Sequence, residues 1–175
     1  MLDFERFGYQ KNRAIYSECQ AVKCPNLEIQ LIQEFLNRDQ KVIFVTLNQP
    51  YYKLKKYFGV SIENPNLHFV DCISRDIKPN PSDKNVLYVK RDSWQTSCQN
   101  IYALWDSLSG KKLIFIDCAE VLLTEMSEKD AFDFIHVHVQ KFQLDGIVIF
   151  CFLKGSVTGT MQTKIQHLFD QVIFL

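Results

Sequence analysis

Short, almost wholly apolar runs recur along this chain, and nothing else in the sequence restricts its fold as strongly. They read "KVIFVTLN" (41–48), "LHFVDCIS" (67–74), "KKLIFIDC" (111–118) and "IVIFCFLKG" (147–155). A strand that is apolar at nearly every position has no face to give to water, so both faces must be covered. Parallel sheets meet that demand, because each crossover lays a helix on one face or the other. The segments between the runs supply those helices. In "NLEIQLIQEFLNR" (26–38), Leu27, Leu31, Ile32, Phe35 and Leu36 fall on one side of a helix. "YYKLKKYFG" follows Pro50 and can end at Gly59, and "SWQTSCQNIYALWDSLSG" (93–110) can end at Gly110. "SEKDAFDFIHVHVQKFQLDG" (127–146) opens with the capping pattern Ser127-x-x-Asp130, and "TGTMQTKIQHLFD" (158–170) is the last helix. "RAIYSEC" (13–19) and "QVIFL" (171–175) read as the first and last strands, and "VLYVK" (86–90) as an added edge strand. Pro79 and Pro81 make 75–85 a loop. The expectation is a three-layer αβα fold with a mainly parallel sheet, and residues 1–175 as one domain.

Composition narrows the function classes. With 20 basic and 20 acidic residues the net charge is zero, which gives no global attraction to nucleic acid or to an anionic membrane. Lys53, Lys55 and Lys56 form the densest basic cluster and read as a solvated helix face. No apolar run approaches the roughly 18 residues that span a bilayer. The N-terminus is charged from Asp3 and lacks an apolar stretch, which argues against a signal peptide. Six cysteines are present without a CxxC pair, and Cys72, Cys118 and Cys151 lie in or beside strands as small apolar residues. Reduced thiols in a cytoplasmic protein are expected.

In doubly wound sheets ligands sit at the carboxyl ends of the strands. A polyphosphate loop after the first strand needs glycines, then a lysine and a hydroxyl. No glycine occurs between Gly8 and Gly59, and Lys23 is followed by Cys24 and Pro25. After the second strand stand Asn48 and Gln49, amides that cannot take a proton from water. Asp117 ends "LIFID", where a carboxylate either holds magnesium or caps the next turn. Glu120 and Glu125 lack an evident second partner. His136 and His138, two apart on a helix, point about 200° apart and cannot share a metal. No metal and no cofactor are expected, with Asp117 as the sole weak metal candidate. A phosphoacceptor at Asp117 would need an acid after the first strand and a lysine after a later one, for which only Glu18 and Lys154 offer themselves.

Three segments in order resemble the KaiC/RadA branch of the RecA-like ATPases: "VIFVTLNQPYYKL" (42–54), "LIFIDCAEVLL" (113–123) and "IQHLFDQVIFL" (165–175). The resemblance implies a RecA-like core whose Walker A position, 17–27, has lost its glycines and its Lys-Ser/Thr pair. It also implies that Asn48 and Gln49 replace the water-activating acid, leaving Lys23, Asn48, Gln49 and Asp117 as a vestigial nucleotide site. The family continues past its last matched strand into a hairpin that reaches a neighbour's nucleotide, whereas this sequence stops at Leu175. The resemblance thus points to a catalytically inactive, protein-binding or regulatory module that partners itself or another RecA-like subunit. Weak ATP–magnesium binding at Asp117 is the alternative. Tyr51, Tyr52, Tyr57, Trp94 and Trp105 are candidate interface anchors, with ordinary helix-to-sheet packing an equally good reading of each. In this reading "LIFID" lies beside the first strand.

Overall fold

A computed structural model describes residues 12–20, 24–74, 83, 85–89 and 94–175. The elements run β1 (Arg13–Cys19), α1 (Cys24–Leu36), β2 (Lys41–Thr46), α2 (Tyr51–Phe58), a 3-10 turn (Gly59–Glu63), β3 (Leu67–Asp71) and β4 (Val86–Tyr88). They continue α3 (Trp94–Ser107), β5 (Lys112–Asp117), α4 (Glu120–Glu125), α5 (Glu128–Gln143), β6 (Ile147–Leu153), α6 (Gly159–Gln166) and β7 (Gln171–Phe174). The seven strands form one parallel sheet in the order β4-β3-β2-β5-β6-β1-β7. This is the three-layer αβα architecture that the doubly apolar runs require.

One expectation about strand order fails. β5, which carries "LIFID", pairs with β2 and β6, and β6 separates it from β1. The apolar pattern cannot choose between these neighbours, because every central strand carries the same one. The crossover helices decide it. The adjacency expected of the core is therefore corrected.

The two sheet faces bury separate cores. Leu113 and Phe115 of β5 join Ile29, Leu31, Ile32 and Phe35 of α1 and Leu54 and Phe58 of α2. Ile114 and Ile116, pointing the other way, join Ile101 of α3, Leu122 of α4, Ile135 and Phe142 of α5 and Ile165 of α6. This is the period-two alternation of a strand expressed as two interiors. Ser127 caps α5 as its spacing predicts, with its hydroxyl accepting from the Asp130 amide at 3.2 Å. Gly59, at φ 53°, ends α2, and its N–H donates to the Lys55 carbonyl. The short α4 and the 3-10 turn are not legible in sequence: "CAEVLL" continues the apolar run of β5, and periodicity needs more than one turn to register.

Two candidate interface aromatics are interior residues. Trp105 is 0% exposed, and its indole N–H donates to Asp145 Oδ1 at 2.8 Å. Lys112 lies over the same ring at 4.5 Å, donates to the Trp105 carbonyl and pairs with Asp145, so one cluster pins α3 to the sheet. Tyr51 is 5% exposed and packs on Phe69. Tyr52 and Tyr57, at 55% and 50%, are exposed as expected. The side chain of Trp94 and most of the 75–85 loop lie outside the described residues. Among the described residues no helix is long and apolar enough to cross a membrane.

Candidate functional site

The strands of one sheet face end together in a carboxyl-rich rim. Asp117 follows Phe115 on the face covered by α1 and α2, and on the same face Cys19 closes β1 and Cys151 stands two residues before the end of β6. Parity along parallel strands brings these three residues to one side. Below them a cavity of about 150 Å³ is lined by Glu28, Asn48, Gln49, Asp117, Cys118 and Glu120, with Ile29, Phe44, Leu54, Tyr57, Phe58 and Leu153 as its apolar wall.

Asn48, Gln49 and Asp117, placed together by sequence reasoning, do share this cavity. Lys23 lies outside the described residues. Asn48 donates through Nδ2 to Cys118 Sγ at 3.6 Å, and the Gln49 N–H donates to the Thr46 hydroxyl at 3.2 Å. Cys118 has φ 53°, a left-handed conformation that non-glycine residues adopt rarely. It turns the chain sharply after β5, so that the Ala119 N–H bonds the Cys151 carbonyl at 2.8 Å. The turn-capping role expected of Asp117 is thus narrower than the sequence suggests: the Cys118 amide serves the carboxylate, while the Ala119 amide bonds elsewhere.

The electrostatics are unusual for a nucleotide site. Burial pushes Asp117 up to about 6, and the Glu120 carboxylate adds to the rise. Hydrogen bonds from the Cys118 thiol and amide and from Glu28 hold it down. Glu28 is raised well above the usual carboxylate range, first by burial and then by Asp117. Burial and the adjacent Asp117 also push the Cys118 thiol up. Among the described residues, none that lines the cavity is basic.

Glu28 is the residue that sequence reasoning missed. It stands three, four and seven positions before Leu31, Ile32 and Phe35, on the buried stripe of α1, and it is 5% exposed. An acid inside an apolar stripe was the available signal. Glu18 points to the opposite sheet face, where Tyr16 and Gln162 hydrogen-bond it at 2.9 and 2.7 Å, so it does not join Asp117. Lys154 is exposed, and its amide donates to the Cys19 carbonyl. His138 is buried between α3 and α5, with Cys98 and Tyr102 at 3.0 and 3.1 Å from Nε2, whereas His136 contacts Gln140. Cys19 is disulfide-bonded, contrary to the expectation of reduced thiols throughout. Cys72, Cys98, Cys118 and Cys151 are not in disulfides.

No family model matches the chain, and no curated protein matches it. Solved structures do. An uncharacterized protein, PH0321 from Pyrococcus horikoshii, determined in complex with an unknown peptide, superposes with a TM-score of 0.65 at 11% identity, over 93% of this chain and 77% of that one. PH0250 from Pyrococcus horikoshii gives 0.63 at 10% identity, over 99% of this chain and 87% of that one. A third solved structure, a helicase ATPase domain, gives 0.60 at 11% identity, over 94% of this chain and 69% of that one. Likeness at such identity is a likeness of fold, and the fold is RecA-like.

Proposed function

We propose that this RecA-like core belongs to the KaiC/RadA branch, no longer hydrolyses ATP, and works in the cytoplasm as a protein-interaction or regulatory module. Its partner in this reading is a second copy or another RecA-like subunit, not nucleic acid or a membrane. One observation carries the proposal. Among the described residues, the cavity at the strand ends holds three carboxyl groups, Glu28, Asp117 and Glu120, two amides and no basic side chain. A triphosphate brings about four negative charges and needs N–H groups and cations around them. A cavity of about 150 Å³ is also smaller than the roughly 300–1,000 Å³ of ordinary small-molecule sites. Exposed Tyr52 and Tyr57 on α2 supply aromatic surface of the kind that anchors protein interfaces.

The left-handed Cys118 beside Asp117 favours a second reading, residual nucleotide binding or a receiver-like role at Asp117, because strained residues gather at working sites. Two measurements decide. Isothermal titration with ATP–magnesium should give no one-to-one complex tighter than about 100 μM, some 5.5 kcal/mol of binding. A tighter complex overturns the proposal in favour of nucleotide binding. Light scattering, on the protein alone and mixed with RecA-like proteins of the same genome, should report a dimer or a mixed assembly. A monomer under every mixture removes the interaction role.

A further inference from the structure

The residues that close the rim next to this cavity form a second constellation. Cys19 at the end of β1, Glu28 on α1 and Cys151 on β6 come from three separate segments, and their ligand atoms all lie within 4.8 Å of one another. Cys151 Sγ is 3.6 Å from Cys19 Sγ, and Cys19 Sγ is 4.0 Å from Glu28 Oε1. Around a tetrahedral zinc, sulfurs at about 2.3 Å lie about 3.8 Å apart, and a sulfur and a carboxylate oxygen about 3.5 Å apart. The two distances from Cys19 thus lie within about half an ångström of the tetrahedral values. All three residues are at least 95% buried. Glu28 has two sulfurs and a second carboxyl as polar neighbours, and no described cationic side chain pairs with it. Only the ionised form of Glu28 is costly in that setting, and a bound cation would offset that cost.

We propose that, once Cys19 is reduced, Cys19, Glu28 and Cys151 bind a thiophilic divalent cation, and that this cation is zinc. Two thiolates disfavour calcium and magnesium, which take oxygen ligands, and a carboxylate beside them suits zinc in tetrahedral coordination. Three protein ligands leave the fourth position to water.

The disulfide at Cys19 makes the site redox-gated. A thiol reductant gives two electrons and two protons to the disulfide and is itself oxidised to a disulfide, which frees the Cys19 thiol. Zinc then displaces the protons of the Cys19 and Cys151 thiols and any proton on Glu28, and these pass to solvent. In the reverse exchange the oxidised, disulfide form of that reductant takes back the two electrons and two protons, which removes Cys19 as a ligand and releases the metal. The site shares Glu28 with the nucleotide cavity, but zinc uptake requires neither an inactive ATPase nor a protein partner, so its readout is separate from the nucleotide titration and the light scattering above.

The test is metal titration of the full chain, reduced with a phosphine and stripped by a chelator. Reduced protein should bind one zinc per chain, and cobalt in its place should show thiolate-to-metal charge-transfer absorption. Changing an outer-shell partner weakens metal binding about 10–100-fold, so loss of a direct ligand in Cys151→Ser should cost at least about 100-fold. Glu28→Gln should weaken binding in the same direction, Cys72→Ser should leave it unchanged, and the unreduced protein should bind at least about 100-fold more weakly. Reduced wild type that takes up no stoichiometric zinc overturns the proposal. So does Cys151→Ser binding as tightly as wild type, or oxidised protein binding as tightly as reduced. Should Cys151→Ser fail to fold, the wild-type cobalt spectrum decides, since a spectrum without thiolate bands refutes the site by itself.

Discussion

Asp71 should be among the most sensitive polar positions in the molecule, and Asp71→Asn measures how much. The carboxylate ends β3 and is 0% exposed. Its Oδ2 accepts from the Tyr51 N–H at 2.8 Å and the Ser74 hydroxyl at 2.7 Å, and its Oδ1 accepts from the amides of Ile73 and Ser74 at 2.8 and 2.9 Å. One group therefore anchors the first turn of α2 and closes the turn after β3. In asparagine one oxygen becomes NH₂ and faces donors. The least damaging arrangement puts NH₂ at the Oδ2 position, where the Ser74 hydroxyl can rotate to accept from it. The Tyr51 amide then loses its acceptor. A hydrogen bond to a charged acceptor contributes about 1.5–3 kcal/mol and a neutral one about 1 kcal/mol. Losing the first and weakening the two bonds at Oδ1 sums to about 3 kcal/mol. For a chain of this size that lowers Tm by about 6–12 °C. Urea unfolding at pH 7 gives the free energy, and hydrogen exchange should show the Tyr51 amide losing protection. The exposed Asp133→Asn serves as a control, expected within about 0.5 kcal/mol of wild type. A loss below about 1 kcal/mol at Asp71, or an unchanged Tyr51 amide, would refute the account of how α2 is anchored.

Acid should weaken the fold through His138. Burial lowers its pKa to about 4 from an ordinary 6.5, so between those values the unfolded chain binds more protons and stability falls as pH drops. At about 1.36 kcal/mol per pH unit the fall approaches 3 kcal/mol. Urea midpoints from pH 7 to 4 should show it, and His138→Gln should flatten that part of the profile. Gly146→Ala should cost about 2–3 kcal/mol, because a Cβ there would sit 2.5 Å from the Trp105 ring and 2.7 Å from the Lys112 carbonyl. A thermal melt unchanged by this substitution would mean that α3 and the start of β6 are not packed as described.

The layers, the helices and the buried strands were legible because each reports a local rule. A run such as Val42–Val45 has no polar face, and Ser127 stands three residues before Asp130. Part of the site was legible as well, since Asn48, Gln49 and Asp117 all follow strands that end at one edge of a parallel sheet. For Trp105 and Tyr51 the sequence left interface anchor and helix-to-sheet packing both open, because an aromatic with a polar tip looks alike whether the tip meets water or, as here for Trp105, Asp145.

What the sequence determined by itself is everything that depends on neighbours within a turn or a strand: the alternation that compels a covered parallel sheet, and the lack of glycines after the first strand. What only the tertiary structure decided is which strands lie side by side and which rim residues meet. Placing β6 between β5 and β1 sets Cys151 3.6 Å from Cys19, although the two are 132 positions apart along the chain. It also sets the α1 face against the end of β5, so that Glu28 reaches Asp117. No local periodicity encodes these meetings. Long-range pairing is chosen by the summed burial of whole elements, and a single acid on an apolar stripe shows its role only once that stripe has a sheet beneath it.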